Sequence, residues 1–224
     1  NDGVVNGPTH NAAGYWDFAG TPGTGDGDTI NFGDTSTYNW IHDRSVSDWA
    51  IEGWFWNNID EEYGAMISNN SGTAAVGFYM GHRNDKKFEC VINKGTQGTQ
   101  ACRVLSTNNL EPDTWYHIAF VNENYTIKLY VDGVLQSNGG DQNSFSTGST
   151  ADAQTDLRIG KLGPSSAWNL SGRIGEIRIY KDRSITAATV FQNYNATKSK
   201  YINEAPDTAP KIGPGIVTDS SLLL

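Results

Sequence analysis

The residues able to do chemistry in this chain are sparse and scattered. Retaining glycoside hydrolysis needs two carboxylates about 5–5.5 Å apart, most simply side chains two or four positions apart on one strand. Glu52 is the nearest candidate, but Gly53, Trp54 and Phe55 follow it and no carboxylate recurs at either spacing. Asp60, Glu61 and Glu62 fall in a turn-like stretch and read as a solvated acidic loop. His117 lies inside a strand-like run, where a packed or hydrogen-bonded histidine is expected, and no Ser-His-Asp or Cys-His arrangement is visible. The pattern argues against an enzyme.

Ring stacking on a sugar face is better represented. Aromatic residues in loop-like stretches beside polar partners are Trp40 (next to Asn39 and near His42), Tyr63, and Trp168 with Asn169. These four, Trp40, Tyr63, Trp168 and Asn169, are the glycan-binding candidates. Trp16, Trp49, Trp54 and Trp115 fall in strand runs and are expected in the core. Cys90 and Cys102 occupy adjacent strand runs joined by a Gly-containing turn; a hairpin would bring them within disulfide reach, with two buried thiols as the alternative.

The elements that must position these groups are short strands. Turn signals recur along the chain, from Asn6-Gly7-Pro8 through Asn69-Asn70-Ser71-Gly72 to Asp132-Gly133 and Gly163-Pro164. Between such signals lie runs over 49–56, 75–80, 88–93, 101–106, 115–122, 126–131, 156–160 and 173–180, most alternating with period two. Ile127, Leu129 and Val131 share one face, Lys128 and Tyr130 the other, and Asp132-Gly133 sits where a type I′ hairpin turn belongs. One segment reads as helix: Thr186 as N-cap, then Ala187, Ala188, Val190, Phe191 and Tyr194 at helical spacing. Without a Glu three residues after the cap, two turns at most are expected.

Composition agrees. In 224 residues there are 25 glycines, 18% charged residues and 11% aromatics, which suits strands and turns rather than long helices. The net charge of −9, with no basic block, argues against a nucleic-acid surface. No run approaches about 18 apolar residues, which excludes a membrane-spanning helix. About ten short strands and one late helical turn predict an all-β, antiparallel two-sheet sandwich. Residues 203–215 have linker composition, and 216–224 (IVTDSSLLL) read as an extra strand in want of a partner sheet.

Several linked pieces resemble the laminin-G-like jelly rolls of the concanavalin A-like lectin and glucanase superfamily. They are Ala50-Ile51-Glu52-Gly53-Trp54-Phe55, Trp115 to Val121 (WYHIAFV), Leu129-Tyr130-Val131-Asp132-Gly133-Val134, Leu157 to Gly160, and Gly175 to Tyr180 (GEIRIY). The likeness covers roughly residues 14 to 201, and implies a jelly roll. Residues Asn193 to Lys198 resemble the close of such modules in tailed-phage virion proteins, notably of marine phages. The opening, Asn1 to Thr9, resembles the middle of their first segment, and Gly215 to Asp219 resembles the strand with which they begin. The resemblance thus implies a domain over 1–202, a linker over 203–215, and a strand over 216–224 that starts a next module or is donated to a neighbour.

Family members often bind calcium between an early acidic loop and an acidic strand near the end. The matching residues are Asp26 and Asp28 in the loop and Glu176 on the strand, so the resemblance implies a structural Ca²⁺ held by Asp26, Asp28 and Glu176. Two departures bear on it: Ala19 stands where the family has an acid, and Thr21 to Gly25 lengthen the loop. The function expected is that of a non-enzymatic module of a virion or other surface structure (fibre, tail or capsid decoration), at the virion surface or outside the cell. Its expected partners are a surface polysaccharide or glycan and other structural subunits, including copies of itself, with no nucleic acid and no membrane insertion. The alternatives are a carbohydrate-binding module of a secreted polysaccharide-degrading enzyme, or a purely architectural self-assembling subunit.

Overall fold

The computed structural model describes residues 3–21, 27–33, 36–57, 63–70, 76–96, 99–136, 153, 155–163, 168–202 and 222–223. Two antiparallel sheets face one another. The first runs β1 (Val4–Asn6), β4 (Thr29–Asn31), β13 (Arg158–Ile159), β6 (Gly64–Ser68), β7 (Val76–His82), β8 (Phe88–Thr96), β9 (Thr99–Leu105). The second runs β12 (Val134–Leu135), β11 (Thr126–Val131), β10 (Thr114–Glu123), β5 (Trp49–Asn57), β14 (Ser171–Tyr180), β3 (Tyr15–Ala19), β2 (Thr9–Asn11). The order is that of a jelly-roll sandwich, as the strand patterns predict.

Alternation explains which side chains fill the centre. Phe55, Phe78, Phe88, Phe120, Ile118, Ile127 and Leu129 point between the sheets and are almost wholly buried. The Asp132-Gly133 turn has φ of 51° and 78°, the two left-handed conformations a type I′ turn requires. The five-residue strand β6 is buried along its whole length, so it carries no apolar–polar alternation from which to predict it.

The helix is longer than expected. Helix α1 spans Ala187–Tyr201, 15 residues rather than two turns. The Thr186 hydroxyl accepts from the Thr189 backbone N–H (3.2 Å), and Lys198 and Lys200 occupy the last turn, where they complement the helix dipole. Docking supplies what local capping lacks. Val190 and Ile185 pack on Ala50, Ala119, Val121 and Tyr180 of the second sheet, and Tyr201 lies on Trp54 with ring centroids 4.9 Å apart. A bulge in β14 between Ile174 and Ile177 makes room, because a Cβ at Gly175 would stand 2.5 Å from the Tyr201 ring.

The described part of the C-terminal segment, β15 (Leu222–Leu223), pairs with Ile179 and Arg178 of β14. The linker and the rest of the extra strand lie outside the described residues.

Candidate functional site

The outward faces of the two sheets carry the polar chemistry, and they are treated differently. On the first sheet, β7, β8 and β9 turn Tyr79, Glu89, Val91 and Arg103 outward. Glu89 lies opposite Gly81 and Leu105, and is diagonal to Tyr79, Arg83 and Arg103. Its carboxylate, 2% exposed, accepts the Tyr79 hydroxyl at 2.7 Å on one oxygen and Arg103 Nε (3.0 Å) and Arg83 Nη1 (3.3 Å) on the other. Burial, then the adjacent carboxylate, push the Tyr79 hydroxyl well above its usual range, so it stays a donor at every accessible pH.

Aromatic rings adjoin this cluster. Tyr63 precedes β6, whose first residue Gly64 pairs with His82, so Tyr63 stands beside Arg83. Trp168 stacks on Tyr63 with centroids 4.4 Å apart and planes 9° off parallel, and meets Tyr79 edge-on at 5.5 Å. A small hairpin delivers Trp168: Lys161 bridges Asn169, Leu170 N donates to the Gly160 carbonyl at 2.9 Å, and Ser68 Oγ donates to the Leu162 carbonyl. Beneath lie Ala65, Val91 and Leu162, all buried. The arrangement offers a partly exposed ring surface with two guanidinium groups alongside, held by a buried carboxylate, the elements of a site that stacks a sugar ring and hydrogen-bonds its edge.

The second sheet's outer face is closed. Glu52, 1% exposed, accepts Tyr180 Oη (2.6 Å), Asn193 Nδ2 (2.6 Å) and Arg178 Nη1 (3.5 Å) on Oε1. Its Oε2 lies 3.6 Å from His117 Nε2 and has no hydrogen-bond partner among the described residues. Desolvation dominates over these bonds and raises the Glu52 pKa, while burial and then Arg178 lower His117 to about 3. Trp54 covers the group, donating from Nε1 to Thr197 Oγ1 of α1 at 2.8 Å. A recess of about 10 Å³, on the order of one water molecule, lies among Glu52, Trp54, His117, Glu176, Arg178 and Thr197. Farther along this face, the Arg173 guanidinium is sandwiched by the Trp56 (4.3 Å) and Tyr15 (5.2 Å) rings and bonded to Asp17 (2.8 Å), so that patch is filled by its own side chains.

Of the glycan-binding candidates, the fold brings Tyr63 and Trp168 together and places the other two elsewhere. Trp40, in a short 3₁₀ turn (Asn39–Ile41), packs against the core with its ring edge-on to Trp49 at 6.4 Å. Asn169 is fully buried and donates to the Thr21 carbonyl at 3.1 Å, a brace between loops. Trp49 and Trp54 are buried and Trp16 packs on the core, as expected, but Trp115 stands half-buried on the outer face. His117 is packed as expected, though under the helix rather than between the sheets. The 58–62 acidic stretch lies outside the described residues.

The calcium set does not assemble. Asp28 Oδ2 accepts the Ala19 backbone N–H at 2.7 Å, whereas Glu176 sits in the β14 bulge and accepts Arg178 Nε at 2.5 Å. Ala19 pairs with Ser171, and Glu176 is five residues farther along the strand, about 16 Å away. Asp26 lies outside the described residues, and among the described residues no three His, Cys, Asp or Glu cluster to hold a metal. Asp28 and Glu176 therefore do not share one Ca²⁺. The expected disulfide is not formed: Cys90 pairs with Val104 and Cys102 with Ile92, so the two are diagonal rather than opposite, and both side chains are buried. The hairpin closure, with Thr96 opposite Thr99, sets that register.

Sequence reasoning missed Tyr79, Arg83, Glu89 and Arg103. Three of them lie on the outward parity of strands whose inward residues were legible, so alternation marks them once the core face is chosen.

A twisted two-sheet jelly roll with one outer face helix-covered and the other lined by rings and guanidinium groups has the architecture of lectin-like domains. Residues 24–191 match the laminin-G-3 family model, described as the concanavalin A-like lectin/glucanases superfamily, and the chain belongs to that family. No match is found among curated proteins. Solved structures share the fold at low identity. Trypanosoma rangeli sialidase in complex with the inhibitor DANA has a TM-score of 0.59 and 12% identity, over 89% of this chain and 30% of that one. The binding domain of botulinum neurotoxin DC in complex with rat synaptotagmin II gives 0.59 and 10%, over 87% and 45%. The CBM40 of Ruminococcus gnavus IT-sialidase, bound to α2,3-sialyllactose, gives 0.57 and 9%, over 82% and 100%. The chain thus spans less than half of the first two.

Proposed function

We propose that this domain is a non-enzymatic glycan-binding module carried on a virion or other surface structure, where it holds the particle near surface polysaccharide. The observation that carries the reading is the Tyr63–Trp168 stack beside the Glu89–Arg83–Arg103–Tyr79 cluster on the outer face of the first sheet. A sugar lies on the partly exposed aromatic surface, and the arginines, oriented by a buried carboxylate, meet its hydroxyl edge. The carboxylate that faces His117, Glu52, sits 1% exposed beneath α1, out of reach of a polymer, which is consistent with a role without catalysis. The sialyllactose-bound CBM40 of R. gnavus shares the fold, which makes a glycan ligand compatible with it.

The test is a glycan array probed with the domain and with Tyr63→Ala. The reading expects specific glycans retained by the wild type and lost by Tyr63→Ala at unchanged thermal midpoint. Equal retention by both proteins, or no retention by either, contradicts it.

A further inference from the structure

We infer that the glycan taken by the first sheet's outer face carries a carboxylate, recognised by Arg83 and Arg103 while Tyr63 receives the ring. This rests on the glycan-binding reading and narrows it to a substrate class. Charge distribution supplies the first argument. Residues 83–103 contain five basic residues (Arg83, Lys86, Lys87, Lys94 and Arg103) against two acids (Asp85 and Glu89), a net +3, which leaves −12 on the rest of the chain. A polyanion repelled by the acidic remainder is tolerated at this segment and at the other basic stretch, residues 158–200, which carries Trp168 and has eight basic residues against two acids.

Local geometry supplies the second. Glu89 grips both guanidinium groups from below and fixes their planes, and about a fifth of each arginine side chain (20% for Arg83, 21% for Arg103) reaches solvent. Arg83 uses Nε on Asp85 and Nη1 on Glu89; its Nη2 has no partner among the described residues. The guanidinium fork of Arg83, held by Asp85 and Glu89, leaves Nη2 as a fixed, charge-assisted donor, which a carboxylate accepts more strongly than a lone hydroxyl does. The third argument is juxtaposition: Tyr63 stands beside Arg83 at the end of the β6–β7 pair. A carboxylated pyranose presents the matching combination, an apolar ring face with a carboxylate at its edge. An internal uronic acid of a polysaccharide and a terminal sialic acid share this chemistry.

The test is isothermal titration with two matched pairs: oligogalacturonate against its methyl ester, and sialyllactose against lactose, at low and high salt. The wild type is expected to bind at least one acidic member about tenfold or more tightly than its neutral partner, with the advantage shrinking as salt rises. Whichever pair responds identifies the source. Arg83→Gln and Arg103→Gln are expected to remove that advantage, and Tyr63→Ala to weaken both members. Arg83→Lys retains the charge on Glu89 without the fork, so it is expected to fold as the wild type does and still lose most of the discrimination. Neutral and acidic members binding equally, with no effect in Arg83→Lys, overturns the carboxylate inference and leaves glycan binding standing. Absence of any Tyr63-dependent binding overturns both.

Discussion

The two outer faces use the same ingredients to different ends. Each centres on a glutamate almost without solvent exposure, Glu89 on one and Glu52 on the other, and each glutamate accepts a tyrosine hydroxyl and an arginine. Glu89 has both oxygens occupied, and its arginines reach the surface. Glu52 loads three donors onto one oxygen and leaves the other without a partner among the described residues, beside a neutral histidine, because α1 and Trp54 seal the group from water. The difference teaches that burial, not residue type, decides whether such a cluster is a clamp or a contact surface. The Glu52 group holds the helix; the Glu89 group presents donors.

The largest expected effect breaks the clamp. Trp54→Ala deletes a ring 1% exposed that stacks on Tyr201 and bonds Thr197, and is expected to cost about 3–5 kcal/mol in urea unfolding, with early loss of helical signal. Glycan affinity of the folded fraction should be unchanged; a loss below about 1 kcal/mol sinks the clamp. Next, Glu89→Ala strands Tyr79 and two arginines, so it should cost about 1–3 kcal/mol and abolish binding together. Destabilisation without loss of binding would detach Glu89 from the contact surface.

The pH dependence sharpens the comparison. Glu52's folded pKa is raised, so its buried charge lowers stability above the ordinary value of 4.5, and that cost is relieved as pH falls through the folded value. Glu52→Gln keeps an acceptor for Tyr180 and Asn193 and leaves Arg178 its Glu176 partner. It is therefore expected to be as stable as the wild type or more so at pH 7, with any advantage shrinking toward pH 4.5. His117 has the opposite sign: neutral in the fold with a value near 3 against 6.5 unfolded, it contributes stability above 6.5 that is lost as pH drops toward 3. Thermal melts from pH 3 to 8 with Glu52→Gln and His117→Gln separate the two. A Glu52→Gln variant much weaker than wild type at pH 7 would contradict the desolvation account. The smallest effect belongs to Trp40→Phe, expected to cost less than about 1.5 kcal/mol and to leave binding untouched, since that ring packs on the core.

The sandwich was legible because period-two alternation is a local property, and Ile127, Leu129 and Val131 announce their face without any knowledge of neighbours. Helix length was not, because Tyr201 is held by Trp54, distant in sequence, rather than by a cap. The proposed contact surface was half legible. Loop aromatics pointed to Tyr63 and Trp168, but Glu89, Arg83 and Arg103 converge only through strand register, which alternation alone does not set. The same limit undid the disulfide, because the hairpin closes with Thr96 opposite Thr99, a register that sets Cys90 against Val104 and Cys102 against Ile92. The calcium set failed for a related reason: the β14 bulge puts Glu176 under the helix, far from Asp28.

The most direct measurement is a two-dimensional amide and indole NMR titration with the tightest array ligand. The account predicts shifts concentrated at Tyr63, Tyr79, Arg83, Glu89, Arg103 and the Trp168 indole, with Trp54, His117 and Asn193 silent. Shifts centred instead on Trp54, His117 and α1, or on Trp56, Trp115 and Arg173, would contradict it.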